Sequence, residues 1–174
     1  MKLGYACINM TLQAVDGITT NRGMRQKTFN EKGLDYVSEL ALQNCRDLVT
    51  IIKWNEEFGI RQFRMSSDIF PWMAYYDFKD LPDYVRITNL LKGVGTLAAK
   101  YGHRLTFHPG HFNALGSPNP VVVEKTIKEL NQHSQIMDLI GLTISPYNKI
   151  NIHVGGAYGD KKAALQRWID NYNK

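Results

Sequence analysis

The sequence predicts an α/β fold built around a parallel sheet. Short apolar segments alternate along the chain with longer segments whose apolar residues recur on one helical face. Four such strand–helix pairs are predicted, and parallel strands joined through helices follow right-handed crossovers. No internal repeat or linker divides the 174 residues, so we expect a single domain over residues 1–174.

The first half of the chain carries two of these pairs. Residues 2–7 are a short apolar strand, and residues 30–58 have the 3–4 spacing of an amphipathic helix. Gly59 lies where helices favour glycine at their carboxyl end. Residues 60–66 are predicted to form the second strand and residues 82–101 the second main helix.

The second half repeats the pattern. Residues 103–107 are the third predicted strand, and Pro120 stands in the first turn of the helix that follows. Residues 150–154 are the fourth predicted strand, with a helix over residues 161–172. A complete eightfold barrel needs about 250 residues. These four units therefore indicate either a small open sheet or half of a longer barrel.

Composition is typical of a globular protein and argues against disorder, with 44% hydrophobic and 21% charged residues. The net charge of +5 fits an anionic partner such as nucleic acid, although the basic residues are scattered. No segment approaches the roughly 20 apolar residues that span a membrane. Cys7 and Cys45 form no paired motif and are predicted to be reduced thiols. We expect a cytoplasmic protein without a secretion signal or membrane partner.

Two histidines mark the ends of successive strands. His108 follows the third strand and precedes Pro109-Gly110, and His153 lies in the fourth strand just before Gly155-Gly156. Loops beyond the carboxyl ends of parallel strands build the sites of α/β enzymes. Imidazole suits Zn, Mn or Fe, and the missing ligands would be carboxylates or further histidines. The sequence therefore predicts part of a metal site.

Three further residues near these strand ends are candidates. His111 and Phe112 form a polar-plus-aromatic pair on the loop after His108, a shape suited to wedging into or stacking on bases, unless the ring is tucked down. Asp68 lies just past the second strand, where it is either a ligand, a carboxylate that orients a histidine, or a turn residue.

A glycine-rich run follows the fourth strand and precedes the last helix. Residues 155–161, including Tyr158 and Lys161, place backbone N–H groups where they can approach a phosphate near a helix N-terminus. The run matches neither the dinucleotide fingerprint nor the nucleotide P-loop, so we expect no nucleotide cofactor. The chain also has no nucleophile elbow and no convincing Ser/His/Asp or Cys/His set.

Five stretches in this order resemble the UV damage endonuclease family over essentially the whole chain: LGYACINMTL, TTNRGMR, FRMSSDIFPW, RLTFHPGHFNALGSPNPVVVE and INIHVGGAYGDK. The resemblance implies a TIM barrel of which about four of eight units are present, the N-terminal half. It implies a DNA repair endonuclease that nicks the backbone immediately 5′ to UV photoproducts. It also implies a cluster of divalent metal ions, manganese above all, and damaged double-stranded DNA as the partner.

Residue by residue, the resemblance implies that His108 and His153 are metal ligands and catalytic residues. Tyr5 and Asn9 match positions that face the damaged nucleotides. His111 and Phe112 stand in the place of a two-residue probe inserted opposite the lesion, which is glutamine–tyrosine in some members. The predicted DNA contacts also include Tyr158 and Lys161. Asp68 lies where some members carry histidine.

Other interpretations remain open at this point. Abasic-site endonucleases and sugar isomerase-like enzymes are metal-dependent barrels that also place histidines at strand ends. The chain is alternatively an inactive DNA-binding fragment, because two histidines without carboxylates do not complete a metal cluster. In the family, the remaining metal ligands come from the second half of the barrel. No stretch of this sequence resembles that half.

Overall fold

The computed structural model describes residues 2–174, in which three strands and five helices follow one another. The elements are β1 (Leu3–Ala6), α1 (Met10–Asp16), α2 (Gln26–Glu57), β2 (Ile60–Arg64), α3 (Tyr84–Tyr101), β3 (Arg104–Thr106), α4 (Pro120–Ile140) and α5 (Lys161–Tyr172). Two short 3₁₀ helices, Met73–Tyr75 and Phe78–Asp80, lie in the loop between β2 and α3.

The strands form one parallel sheet in which β2 lies between β1 and β3. Phe63 pairs with Tyr5 on one side and Leu105 on the other, and Arg64 pairs with Ala6 and Thr106. Because successive side chains point to opposite faces, these two rows lie on opposite sides of the sheet. We call the side that carries Arg64 the inner face.

The other side of the sheet carries the hydrophobic core. Phe63, Leu105 and Phe107 are fully buried there under the helical layer, in which α3 lies between α2 and α4. The helices contribute fully or almost fully buried residues to the same cluster: Val37, Leu48, Ile51, Ile52, Ile87, Leu91, Val94, Ile136 and Ile140. The apolar face of the sheet is thus covered by helices, and the inner face is left to polar and small side chains.

The predicted parallel α/β arrangement and its first three strands are confirmed, but the fourth strand is not formed. Of residues 150–154, only Ile150 pairs with the sheet, through a single parallel bridge to Phe107. Within residues 2–174 no further strand flanks this segment, and Asn151 and Val154 are exposed. A parallel strand needs neighbours and cover on both faces, so the segment stays irregular.

The structure also contains a helix that the sequence did not predict. In α1 only Leu12 is buried, so its seven residues carry too little periodicity to be recognised. Its true signal is the N-cap, where the Asn9 side chain accepts a hydrogen bond from the N–H of Leu12. The helix ends at Gly17, which adopts a left-handed conformation with φ of 66°.

No helix within residues 2–174 combines the length and the apolar character needed to cross a membrane. Cys7 and Cys45 are both free thiols, and burial raises the pKa of the Cys45 thiol well above its usual range. The predicted cytoplasmic location and the predicted absence of a membrane partner stay predictions.

Candidate functional site

The rings of His108 and His153 lie side by side at the carboxyl end of the sheet. Their centroids are 4.4 Å apart and their planes are inclined by 31°. The bridge around Phe107 causes this approach, because its N–H donates to the carbonyl of Lys149 at 3.1 Å and its carbonyl accepts from Asn151 at 2.9 Å. The backbone just before each histidine is therefore fixed against the other.

The last helix holds His153 from the other side. The indole N–H of Trp168 in α5 donates to the carbonyl of His153 at 3.2 Å. Because Asp160 caps α5 and accepts from the N–H groups of Lys162 and Ala163, the helix begins at a defined residue. The irregular segment that carries His153 is thus anchored at both ends.

Arg64, the last residue of β2, contacts the histidine pair. Its Nη1 lies 3.1 Å from Nδ1 of His108. A guanidinium only donates, so Nδ1 of His108 is the acceptor and the neutral ring carries its hydrogen on Nε2. Burial, followed by the neighbouring His153 and Arg64, lowers the pKa of His108. The lowered pKa favours the neutral ring, but with Nδ1 accepting from Arg64 and the hydrogen on Nε2 neither nitrogen has a free lone pair, so binding of a metal requires Arg64 to release Nδ1 or the hydrogen to move from Nε2.

The two imidazoles are suitable metal ligands, but they do not complete a metal site. No group of three or more His, Cys, Asp or Glu side chains within residues 2–174 is placed to hold a metal ion. Tetrahedral and octahedral sites both need further ligands. Within residues 2–174, His108 and His153 therefore offer at most two ligands of a metal site, and their metal role stays a prediction.

His111 and Phe112 form an exposed tip on the loop between β3 and α4. Their ring centroids are 4.0 Å apart, and the Phe112 side chain is 81% exposed, so the alternative of a ring tucked down is wrong. The base of the tip is rigid, because Asn113 donates to Glu129 in α4 at 2.7 Å and Ala114 N–H donates to Thr126 at 3.1 Å. An aromatic ring thus projects from a fixed support.

Phe112 also borders a groove of about 510 Å³ between the loops that follow β2 and β3. The opposite wall contains Trp72, whose indole N–H donates to the carbonyl of Met24, and Tyr75, which is 47% exposed. Trp72 adopts a left-handed backbone with φ of 58°, which a non-glycine residue rarely does. The groove offers aromatic surfaces at the same end of the sheet as the histidines.

Tyr5 and Asn9 belong to one hydrogen-bonded network with Asn55 of α2. Asn9 is 3% exposed, and its amide donates to the Tyr5 hydroxyl, which in turn donates to Asn55 of α2. The Tyr5 ring packs against Phe63 on the helical side of the sheet. Both residues therefore join β1, α1 and α2, and their contact with DNA stays a prediction.

The remaining candidates lie apart from the histidine pair. Asp68 is exposed and belongs to the wall of the aromatic groove. Tyr158 is 46% exposed, and Lys161 is the exposed first residue of α5. The carboxylate of Asp160 already accepts two of the free N–H groups at this helix end, so a phosphate would have to compete with it. The predicted DNA contacts of Tyr158 and Lys161 stay predictions.

Sequence reasoning missed Arg64. The sequence of β2 does not assign Arg64 to a face, because Ile60 and Phe63 are three residues apart and the pairing with β1 shifts register between Leu3 and Gly4. Its contact with His108 joins residues 44 positions apart and has no local signature.

Comparisons with known proteins agree with this architecture. The family model described as UV-endonuclease UvdE matches residues 1–174. The chain is 42% identical to a putative UV-damage endonuclease of Acanthamoeba polyphaga mimivirus, over 100% of this chain and 53% of that protein. It is 37% identical to the UV-damage endonuclease of Schizosaccharomyces pombe, over 99% of this chain and 29% of that protein.

A solved structure, the crystal structure of SacUVDE, superposes with a TM-score of 0.84 at 27% identity. The match covers 99% of this chain and 56% of that one, and it confirms the predicted barrel-type arrangement of strand–helix units. The chain spans about half the length of the mimiviral relative and of the SacUVDE chain, and less of the yeast protein.

Proposed function

Since the chain belongs to the UV-endonuclease UvdE family, we propose that it forms part of a DNA repair nuclease that nicks damaged double-stranded DNA immediately 5′ to UV photoproducts. The observation that carries this proposal is the juxtaposition of His108 and His153 at the end of the sheet that also carries the exposed Phe112. His108 of the proposed metal site and Phe112, proposed to enter the duplex, thus lie on the same loop after β3. The net charge of +5 favours association with the DNA backbone.

The cofactor is a set of divalent metal ions, manganese above all, to which His108 and His153 contribute two imidazole ligands. Bound metal would lower the pKa of a water molecule and stabilise negative charge on the reacting phosphate. The remaining ligands come from outside residues 2–174. What supports this is that the two rings are adjacent and that the pKa of His108 is lowered.

The chain's own contribution to recognition is the tip formed by His111 and Phe112. A photoproduct weakens stacking, so opening the duplex there costs less than opening intact DNA. Phe112 can fill the gap with an apolar ring, and the groove beside it, lined by Trp72 and Tyr75, can receive a base. Tyr5, Asn9, Tyr158 and Lys161 are further proposed contacts.

A duplex that carries a single photoproduct and a 5′ label on the damaged strand tests the reaction. With Mn²⁺ present, and with a protein that carries this chain together with the remaining ligands, we expect a product that ends immediately 5′ to the photoproduct and no product from the undamaged duplex. The 174-residue chain alone is expected to be poorly active. His108→Gln removes a ligand and lowers the rate about tenfold or more. Equal cutting of both duplexes, or cutting at scattered positions, would show that the proposed function is wrong.

Phe112→Ala tests recognition separately from the reaction. We expect the preference for the damaged over the intact duplex to fall about fivefold or more, because stacking of one base on an aromatic ring is lost. Fluorescence anisotropy with both duplexes measures this ratio. Phe58→Ala is the matched control, since Phe58 is 58% exposed but lies just before β2, at the opposite end of the sheet. A preference that survives Phe112→Ala contradicts the assigned role.

A further inference from the structure

Arg64 is a half-buried cation without an anionic partner. It lies on the inner face at the carboxyl end of β2, and its Nε is buried without a hydrogen-bond partner. Within residues 2–174 its side chain makes one hydrogen bond, to Nδ1 of His108 at 3.1 Å. None of the ion pairs formed within residues 2–174 includes Arg64.

Four other arginines of the chain donate hydrogen bonds to a carboxylate or a carbonyl. Arg22, Arg61 and Arg86 each pair with a carboxylate at 2.6–2.8 Å. Arg104, which shares the inner face with Arg64 but lies at the amino end of β3, donates to the carbonyl of Tyr147 at 2.6 Å. An uncompensated charge that is withdrawn from water is unfavourable. Arg64 therefore has the properties of a residue whose partner is an anion.

The surroundings of Arg64 are suited to an anion. The strand positions that share its face are Gly4, Ala6, Gln62, Arg104 and Thr106. None of these is acidic, and two of them have no side chain larger than a methyl group. Ala6, which pairs with Arg64, is exposed, whereas Thr106 on the other side of Arg64 is buried. The inner face near Arg64 is thus positively charged and open on the side of β1.

We propose that Arg64 binds a phosphate oxyanion beside His108, and that its bond to the His108 ring is the contact it makes when no phosphate is bound. The planar guanidinium offers parallel N–H donors that match two phosphate oxygens. That the phosphate belongs to a DNA backbone rests on the proposed function. On phosphate binding, Arg64 turns from the His108 Nδ1 to the anion, and the ring nitrogen loses its donor.

Titration of the 174-residue chain with inorganic phosphate tests this site. Two-bond ¹H–¹⁵N spectra of the histidine rings report the state of His108 Nδ1, and the Arg64 Nε–H signal reports the guanidinium. Both signals are expected to shift together and to saturate. Arg64→Gln is expected to raise the dissociation constant for phosphate about tenfold or more, because a charge-assisted pair of hydrogen bonds is lost.

Arg104→Gln is the matched control, because it removes the same charge from the same face two strand positions nearer the amino end. Its dissociation constant for phosphate is expected to stay within about twofold of wild type, because Arg104 already donates to the Tyr147 carbonyl. Circular dichroism melting checks that each variant folds. Should Arg64→Gln fail to fold, Arg64→Lys decides, since it keeps the charge but loses the paired donors and is expected to bind phosphate more weakly than wild type.

Several outcomes overturn the proposal: no saturable binding of phosphate by the wild type, equal loss in both glutamine variants, or an Arg64→Lys variant that binds as tightly as wild type. The result is separable from the proposed function. If phosphate binds through Arg64 but the protein shows no preference for damaged duplex, the proposed function is wrong and the inference about Arg64 stands. Selective nicking without Arg64-dependent phosphate binding removes only the inference about Arg64.

Discussion

Gly95→Ala is expected to lower the free energy of unfolding by about 3 kcal/mol, because α3 and α4 touch through this glycine. An added Cβ at Gly95 would lie 1.7 Å from the carbonyl oxygen of Ile140 and 2.8 Å from its carbonyl carbon. The obstacle is backbone, so no side chain can rotate away. The helices must move apart, and the buried contacts of Val94 and Ile136 with the core loosen.

Gly93→Ala is the control within the same helix. Nothing lies within 4 Å of an added Cβ at Gly93. Alanine is the better helix residue, so this variant is expected to gain about 0.5–1 kcal/mol. Urea denaturation followed by circular dichroism measures both changes. A Gly95→Ala variant that is as stable as wild type would contradict the close packing of α3 on α4 at this glycine.

The fold could be predicted as far as local patterns specify it. The helix over residues 161–172 has the predicted bounds, and its start is fixed by Asp160, a strong N-cap. Pro120 marks the first turn of α4, and the Asn119 side chain caps it. Gly102, with φ of 67°, ends α3 as predicted.

The fourth strand could not be rejected from sequence, because its composition is that of a strand. Ile150 and Ile152 alternate with polar residues, and His153 leads into glycines. Whether such a segment pairs depends on neighbours on both sides, which is a property of the assembled sheet. Here one side offers only Phe107, and the alternation does not become a strand.

The site residues also differ in whether a local sequence pattern predicts their position. Strand ends are local features, so the sequence could place His108 and His153 at one edge of the sheet. The chain of hydrogen bonds through Asn9, Tyr5 and Asn55 joins residues 50 positions apart, and no spacing rule predicts it. A resemblance assigned Tyr5 and Asn9 to DNA, whereas the structure shows that they also hold β1 against α2.

Replacing Asp47 is also expected to lower the stability of the fold strongly, because Asp47 anchors the loop between α1 and α2 to the core. Its side chain is 6% exposed, accepts from the Thr19 N–H at 2.9 Å and from Gln43 at 2.8 Å, and pairs with Arg22 at 2.6 Å. Asp47→Ala leaves the Thr19 N–H and the Arg22 guanidinium without their acceptor. We expect a loss of about 3 kcal/mol in the free energy of unfolding.

The loop should also become more mobile at Thr19, because the other side-chain contacts of Arg22 are with carbonyls of the loop itself, Gly17 and Thr19. Asn44 of α2 still accepts from the Arg22 N–H and donates to the Arg22 carbonyl, so hydrogen exchange is expected to accelerate at the Thr19 amide more than at the Arg22 amide. Asp35→Ala is the control, since Asp35 is an exposed carboxylate on the same helix and its removal should change stability by less than about 0.5 kcal/mol. Equal changes from both variants would mean that Asp47 acts only through its charge.

Because Asn21 and Met24 of this loop line the aromatic groove, the loss of the anchor is expected to reach the proposed DNA-binding surface as well.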